Sequence, residues 1–186
     1  MAEPPFLPLA TGRLLLRRLE PLDVPAIERY AGDEDVARMT ARIPHPYPPG
    51  MAAAWVAETH RQMAGGLGWQ LAVATLADGA LVGAIGLEKD EADAAAELGY
   101  WIGRPHWGRG YATEAARRLI AFGFQEGGLR EVRAHCMAVN AASRRVLEKL
   151  GMAFQGPATV EARGRNVEVR TYALDVAAWR VAQARP

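Results

Sequence analysis

The chain has 186 residues, half of them apolar and 23% charged, so it can bury a core without help from disulfides or metals. Its formal net charge of +1 excludes the global basic field with which proteins bind nucleic acid or anionic lipid. Cys136 is the only cysteine, which excludes an intrachain disulfide and a cluster of cysteine ligands. The sequence shows neither a signal-peptide pattern nor a membrane-span pattern, so we expect a cytoplasmic protein with one domain over residues 1–186.

Hydrophobic periodicity predicts helices and strands in mixed order. Asp78-Gly79 is a hairpin signal between two apolar runs, and the proline-rich stretch 43–50 (IPHPYPPG) interrupts regular structure. The predicted elements in chain order are the strand 13–19, the helices 22–31 and 53–63, the strands 69–76, 80–87 and 95–102, the helix 111–126, the strand 131–137, the helix 141–150, and the strands 159–163 and 167–174.

The stretch 106–114 (HWGRGYATE) lies where a predicted strand gives way to a helix. The first turn of a helix has unbonded N–H groups and the positive end of the helix dipole. Gly108 and Gly110 leave the backbone open to a ligand, and Arg109 adds a cation. A tight strand-to-helix turn would explain the two glycines equally well. The stretch lacks the third glycine of a dinucleotide fold and the Lys-Ser/Thr of a P-loop, so neither NAD nor ATP is the expected ligand.

The longer stretch 97–115 (ELGYWIGRPHWGRGYATEA), with Asn140-Ala141-Ala142-Ser143 and Leu150-Gly151-Met152 downstream, closely resembles the GNAT superfamily of acetyl-CoA-dependent N-acetyltransferases. Nearly the whole chain is similar to the RimJ/RimL type, which acetylates the N-terminal amines of ribosomal proteins. The resemblance implies an α/β (α+β) fold. Its single mixed, mostly antiparallel sheet would have six to seven strands and about four flanking helices, and would be splayed in the middle to admit acetyl-CoA. Acetyl-CoA is then the co-substrate, and no metal is expected.

The resemblance also implies how acetyl-CoA would be held. Backbone N–H groups of residues 109–113 would bind its pyrophosphate, and residues 98–102 would pair with its pantetheine arm. Gly99 within that strand is consistent with a bulge that frees an N–H for the thioester oxygen. For Asn140, a plain helix cap bonded to the N–H of Ser143 is the alternative. The residues expected at the cofactor are Tyr100, Trp101, Ile102, Trp107, Gly108, Arg109, Gly110, Tyr111, Ala112, Thr113, Asn140 and Ser143.

Acetyl transfer to an amine needs a base, a donor to the oxyanion and a proton for the leaving thiolate. Glu161, on a late strand expected to face the cleft, and Glu97, at the start of the acetyl-CoA strand, are the candidate bases. Ser143 or a water is the candidate proton donor, with Tyr172 in reserve. Exposed glutamates are more often solvated charges, and a tyrosine in VRTYAL is more often part of the core.

Other side chains leave two interpretations open. Cys136 is either a small core residue or faces the cleft, where it could form a mixed disulfide with CoA. Its neighbour His135 should point to the opposite face, so the two are not expected to be catalytic together. His45 and Tyr47 belong either to a turn that prolines rigidify or to the border of the acceptor slot.

The function that the resemblance implies is direct transfer of an acetyl group from acetyl-CoA to a primary amine in a ternary complex. The first hypothesis for the acceptor is the N-terminal α-amine of a protein or peptide. A small amine, such as an antibiotic, amino acid or polyamine, is the second, and a CoA-binding sensor without catalysis is the third. No direct nucleic-acid partner and no membrane partner are expected, and the chain would be a monomer or a homodimer.

Overall fold

The computed structural model describes residues 7–90 and 94–184, so the expectation of one domain over 1–186 stays a prediction. In the described part, eight strands form one sheet in the order β1-β2-β3-β4-β5-β6-β8-β7. The strands are β1 (Leu9–Ala10), β2 (Leu14–Arg18), β3 (Gly68–Thr75), β4 (Leu81–Lys89), β5 (Ala95–Ile102), β6 (Glu131–Met137), β7 (Ala153–Ala162) and β8 (Arg165–Asp175).

Helices cover both faces of this sheet. They are α1 (Val24–Ala31), α2 (Glu34–Ala37), α3 (Met51–Ala64), α4 (Tyr111–Gln125), α5 (Ala141–Lys149) and α6 (Val176–Gln183), with 3₁₀ turns at Pro21–Asp23 and Arg104–His106. All neighbouring strands are antiparallel except β5 and β6. The predicted mixed, mostly antiparallel sheet with flanking helices is therefore confirmed, but the described residues form eight strands and six α-helices, more than the six to seven strands and about four helices that were expected. None of the helices in the described residues combines the length and apolar character that crossing a bilayer requires.

Three elements were not predicted, and the strand β7 begins six residues earlier than predicted. β1 and α2 have two and four residues, too few to show a period, and α6 begins where the Asp175 side chain accepts from the N–H of Ala178. β7 begins at residue 153 because a register shift between Phe154 and Gly156 accommodates a glycine and a proline in the strand.

Two hydrophobic clusters lie on opposite faces of the sheet. Side chains of α4 such as Leu119 and Ile120 pack with Leu98 and Ile102 of β5 on one face. On the other face, Trp101 packs against residues of α1 and α3. Successive residues of β5 therefore face different helices, as the alternation of a strand requires.

The sheet divides between β5 and β6. These parallel strands pair only from Ala95↔Glu131 to Glu97↔Arg133. Beyond Glu97, β5 stays paired with β4 and β6 stays paired with β8, so a gap opens between them. The bulge expected at Gly99 is wrong, because β4 and β5 pair without a register shift along this stretch. The backbone groups that face the gap are freed by the splay.

A buried ion pair fixes α1 against the sheet. The Arg17 guanidinium of β2 donates to both carboxylate oxygens of Asp23, at 2.7 and 2.8 Å, and the N–H of Glu20 donates to the same carboxylate at 2.8 Å. Asp23 is 2% exposed. This carboxylate therefore joins β2 to the turn from which α1 starts.

We predict that Asp23→Ala lowers the free energy of unfolding by about 3 kcal/mol, because it leaves a mostly buried guanidinium without its partner. Urea denaturation measures the change. Glu58→Ala is the control, since the pair of Glu58 with Arg61 is largely exposed and should contribute less than about 0.5 kcal/mol. Equal effects of the two variants would contradict the structural role of Asp23.

Candidate functional site

A cavity of about 900 Å³ lies where β5 and β6 separate. Its lining comes from both faces of the sheet, with Tyr100 and Cys136 on the α4 side and Glu97, Trp101 and His135 on the α1 side. The cavity therefore passes through the sheet at the gap. All of the residues predicted at the cofactor line it except Arg109.

The N-terminus of α4 forms one end of the cavity. Gly110 is its N-cap, with φ of 78°, and Gly108 has φ of 74°; this left-handed backbone favours glycine. The first-turn N–H groups of Tyr111, Ala112 and Thr113 have no partner within the helix, and these residues line the cavity. The Trp107 indole donates to the Ile102 carbonyl at 2.6 Å, which ties the glycine loop to the end of β5.

Two cations of α5, Arg145 and Lys149, also line the cavity. They are four residues apart and so lie on one helix face. Neither residue was predicted from the sequence, although two cations four residues apart in a helix that begins after Asn140 could have indicated a basic helix face. We call the α4 N-terminus with these two side chains the basic end. Its positive charge and free N–H groups suit a phosphate-bearing ligand.

A hydrogen-bonded pair of hydroxyls lies beside the gap. Tyr100 Oη and Ser143 Oγ are 2.8 Å apart. Burial raises the pKa of Tyr100 to about 12, against the opposing effect of the hydrogen bond to Ser143. Tyr100 thus keeps its proton throughout the neutral range and can donate it. Burial also raises the pKa of the Cys136 thiol, so near neutral pH this side chain is a thiol.

Asn140 has both of its side-chain groups engaged. Its Oδ1 accepts from the N–H of Ser143 at 2.9 Å, and its Nδ2 donates to the Met39 carbonyl at 3.2 Å. Asn140 therefore caps α5 and also holds the segment after α2 across the cavity. Tyr172 does not line the cavity; it is 2% exposed and packs against Phe154.

Charged side chains gather on the α1 side of the gap. His135 Nδ1 lies 3.3 Å from Glu97 Oε1, and Arg42 lies 2.5 Å from Glu88 and 3.8 Å from Glu97. The hydrogen bond to Glu88 raises the pKa of Arg42, so this guanidinium is permanently charged. We call these four residues the acidic end. The sequence did not indicate the Glu97–His135 contact, because it joins strands that meet only through the fold.

The structure separates the two candidate bases. Glu97 lines the cavity, whereas Glu161 is exposed on β7 opposite Asn166, next to the turn of the last hairpin, and does not line it. In the proline-rich loop, Tyr47 lines the cavity and His45 does not. Burial, followed by the nearby Glu28, raises the pKa of Tyr47. Among residues 7–90 and 94–184, no group of His, Cys, Asp or Glu side chains is arranged to hold a metal ion.

Comparison with known proteins gives consistent matches. The family model "Acetyltransferase (GNAT) domain" matches residues 13–153. The uncharacterized N-acetyltransferase p20 of Bacillus licheniformis is 27% identical over 169 residues, which are 89% of this chain and 94% of that protein. YdaF of Bacillus subtilis (strain 168), a candidate ribosomal N-acetyltransferase, is 44% identical over 85 residues, 45% of this chain and 46% of that protein.

A solved structure extends the comparison to the whole fold. RimL, an α-N-acetyltransferase of a ribosomal protein, was determined in complex with coenzyme A that is disulfide-bonded to a cysteine. It matches with a TM-score of 0.82 and 17% identity, over 92% of this chain and 99% of that one. At this identity the match concerns the fold.

We predict that Gly110→Glu lowers the affinity for coenzyme A by at least about tenfold for each charge-assisted hydrogen bond that it removes. The new side chain would start at the N-cap of α4, where its Cβ would lie 3.6 Å from Arg13 Nη2, and its negative charge at this helix N-terminus would repel phosphate. Isothermal titration calorimetry measures the affinity.

Gly79→Glu is the matched control, because Gly79 also has a positive φ, of 71°, and lies in a hairpin turn outside the cavity. Both variants carry the same kind of backbone strain, so only the first should lose binding. Unchanged affinity in Gly110→Glu would rule out the basic end as the phosphate site.

Proposed function

Because this chain belongs to the GNAT acetyltransferase family, as a RimJ/RimL-like N-acetyltransferase, we propose that its acceptor is the N-terminal α-amine of a protein or peptide. The donor in this proposal is acetyl-CoA. The observation that supports acetyl transfer to an amine is the cavity through the sheet, with a basic end, a protonated tyrosine on one face and a carboxylate on the other. These are the groups that acyl transfer to an amine requires. The choice of an α-amine acceptor rests on the ribosomal acetyltransferases among the similar proteins.

The basic end fits the phosphates of acetyl-CoA. The N–H groups at the start of α4, together with Arg145 and Lys149, would hold the pyrophosphate, and Gly108 keeps the approach free, since a Cβ there would meet no atom within 4 Å. When bound, acetyl-CoA supplies an acetyl group activated as a thioester. Cys136 also lines the cavity. An external oxidant such as dioxygen, by taking two electrons and two protons from the Cys136 and CoA thiols, would join them in a mixed disulfide like that in the RimL structure.

The exposed edge of β5 would align the donor. Backbone groups of alternate residues point to β4, as shown by the bonds from Gly103 N to Val82 O and from Asp90 N to Ala95 O. The groups of Tyr100 and Ile102 therefore point into the gap, beyond the last β5–β6 pair. Their N–H groups can pair with an amide-bearing arm and donate to a developing oxyanion.

Proton transfer would occur from opposite faces of the sheet. On the α1 side, Glu97, held beside His135, accepts a proton from the acceptor ammonium. A peptide α-amine has a pKa of about 8, so a modest base is sufficient. On the α4 side, the Tyr100–Ser143 pair donates the proton to the leaving thiolate. Tyr100 thereby joins Ser143 as a candidate for this role.

The expected result of an amine screen is acetyl-CoA-dependent thiol release with peptides that begin with Ala, Ser or Met, and mass spectrometry should place one acetyl group on the α-amine. Small amines such as polyamines and aminoglycosides form the comparison set. Turnover with these small amines alone would indicate that the acceptor is a small molecule and not a protein or peptide. Binding of CoA without turnover on any amine would indicate a sensor.

We predict that Glu97→Gln lowers kcat by about a hundredfold, the lower range for loss of a general base, and leaves the acetyl-CoA dissociation constant unchanged. Steady-state kinetics and calorimetry separate the two quantities. Glu168→Gln is the control, since Glu168 is exposed on β8 and does not line the cavity. If Glu161→Gln loses turnover and Glu97→Gln does not, the base is Glu161.

A further inference from the structure

The α1 face of the sheet has an open position at Gly99. A Cβ at this residue would meet no atom within 4 Å, and its φ lies outside the left-handed region, so neither crowding nor backbone strain requires a glycine here. Gly99 lines the cavity and is exposed. Its missing side chain leaves a space in the wall of the cavity.

Side chains bound this space on three sides. Glu97 and Trp101 lie two residues away in either direction along β5, about 13 Å apart by strand geometry. Across β4, Gly86 is the partner of Gly99, and the Gln70 side chain covers it so closely that a Cβ on Gly86 would collide with the amide. The fourth side is the gap left by β6. A small group could therefore enter over Gly99 and reach the gap.

The charges beside the space are unbalanced. Glu88 and Glu97 are paired across β4 and β5, and Arg42 contacts both, more closely at Glu88. The acidic end thus has one more carboxylate than guanidinium, and Glu97 has the weaker contact. The other cations that line the cavity, Arg145 and Lys149, belong to the basic end on α5. With His135, which lies 3.3 Å from Glu97, counted as neutral at pH 7, one negative charge remains in the acidic end, on Glu97 next to the space.

We propose that the acceptor enters over Gly99 with its ammonium against Glu97, and that the site selects amines whose α-substituent is an uncharged amide over free amino acids. This inference rests on the proposed acetyl transfer. In a free α-amino acid the carboxylate is bonded to the same carbon as the amine, two bonds from the amine nitrogen. It would therefore lie next to Glu97 and Glu88, and like charges repel at this distance. A peptide has a neutral amide at that position.

The first test compares alaninamide with alanine as acceptors, with kcat/KM expressed per unprotonated amine, because the carboxylate changes the amine pKa. We expect alaninamide to be preferred by about tenfold or more, the effect of two like charges about 4 Å apart in a partly aqueous site. Glu88→Gln removes one of the repelling carboxylates and should reduce this preference. Equal use of alanine and alaninamide by the unmodified protein would overturn the inference.

The second test fills the space. Gly99→Val should raise the KM for alaninamide by about tenfold or more, since the isopropyl group would occupy the space in which the acceptor binds, and should leave the dissociation constant of CoA within about twofold. Gly12→Ala is the control, because Gly12 also has an ordinary φ and a Cβ there would meet no atom closer than 4.0 Å. An unchanged KM, or an equal loss of CoA affinity, would show that the space over Gly99 is not the acceptor site.

The outcomes separate this inference from the function on which it rests. If CoA binds but none of the acceptors tested (alanine, alaninamide, peptides and other small amines) is acetylated, then the proposed acetyl transfer and the inference fail together. If peptides are acetylated but alanine and alaninamide have equal kcat/KM values, or Gly99→Val leaves the KM for alaninamide unchanged, then only the inference fails. Melting temperatures of the variants confirm that each protein remains folded.

Discussion

The short pairing between β5 and β6 is the constraint on which the site depends. Three residue pairs hold the two parallel strands together, and each strand then follows its other neighbour, β4 or β8. Parallel strands lose their ladder bonds when they diverge, so the edge of β5 becomes free in the middle of the sheet without an irregularity in the strand itself. The cavity, the access to both faces and the aligned backbone groups all follow from this division.

Because a strand directs alternate side chains to opposite faces, one short segment of β5 contributes side chains to the cavity on both the α4 side and the α1 side of the sheet. Tyr100 reaches Ser143 on the α4 side, while Glu97 and Trp101 lie on the α1 side with Arg42 and residues of α3. The basic end and the acidic end are thereby kept on different faces of one sheet. In the proposed function, a phosphate-bearing donor and a cationic acceptor would approach the gap from different directions without competing for the same charges.

The segment after α2 completes the acidic end. The Asn140 amide holds the Met39 carbonyl, and Arg42 bridges Glu88 and Glu97 from the same segment. Asn140 therefore has a structural use beyond its cap, because it couples the start of α5 to the cover of the cavity. The side chain expected at the cofactor is also a support for the opposite face of the site.

The sequence by itself determined the order of the long elements and the glycine turn before α4. The evidence in the sequence is local: hydrophobic periodicity, the Asp78-Gly79 hairpin signal and the two glycines before α4 each depend on a few neighbouring residues. The structure has the corresponding strands and helix. The short elements β1 and α2 were not predicted, because two to four residues are too few to show a hydrophobic period. Only the tertiary structure decided the splay, the contact of Glu97 with His135, the placement of Glu161 outside the cavity and the space over Gly99. Each of these depends on which distant strands meet and where they separate, and this is set by packing of helices on the whole sheet rather than by any local pattern.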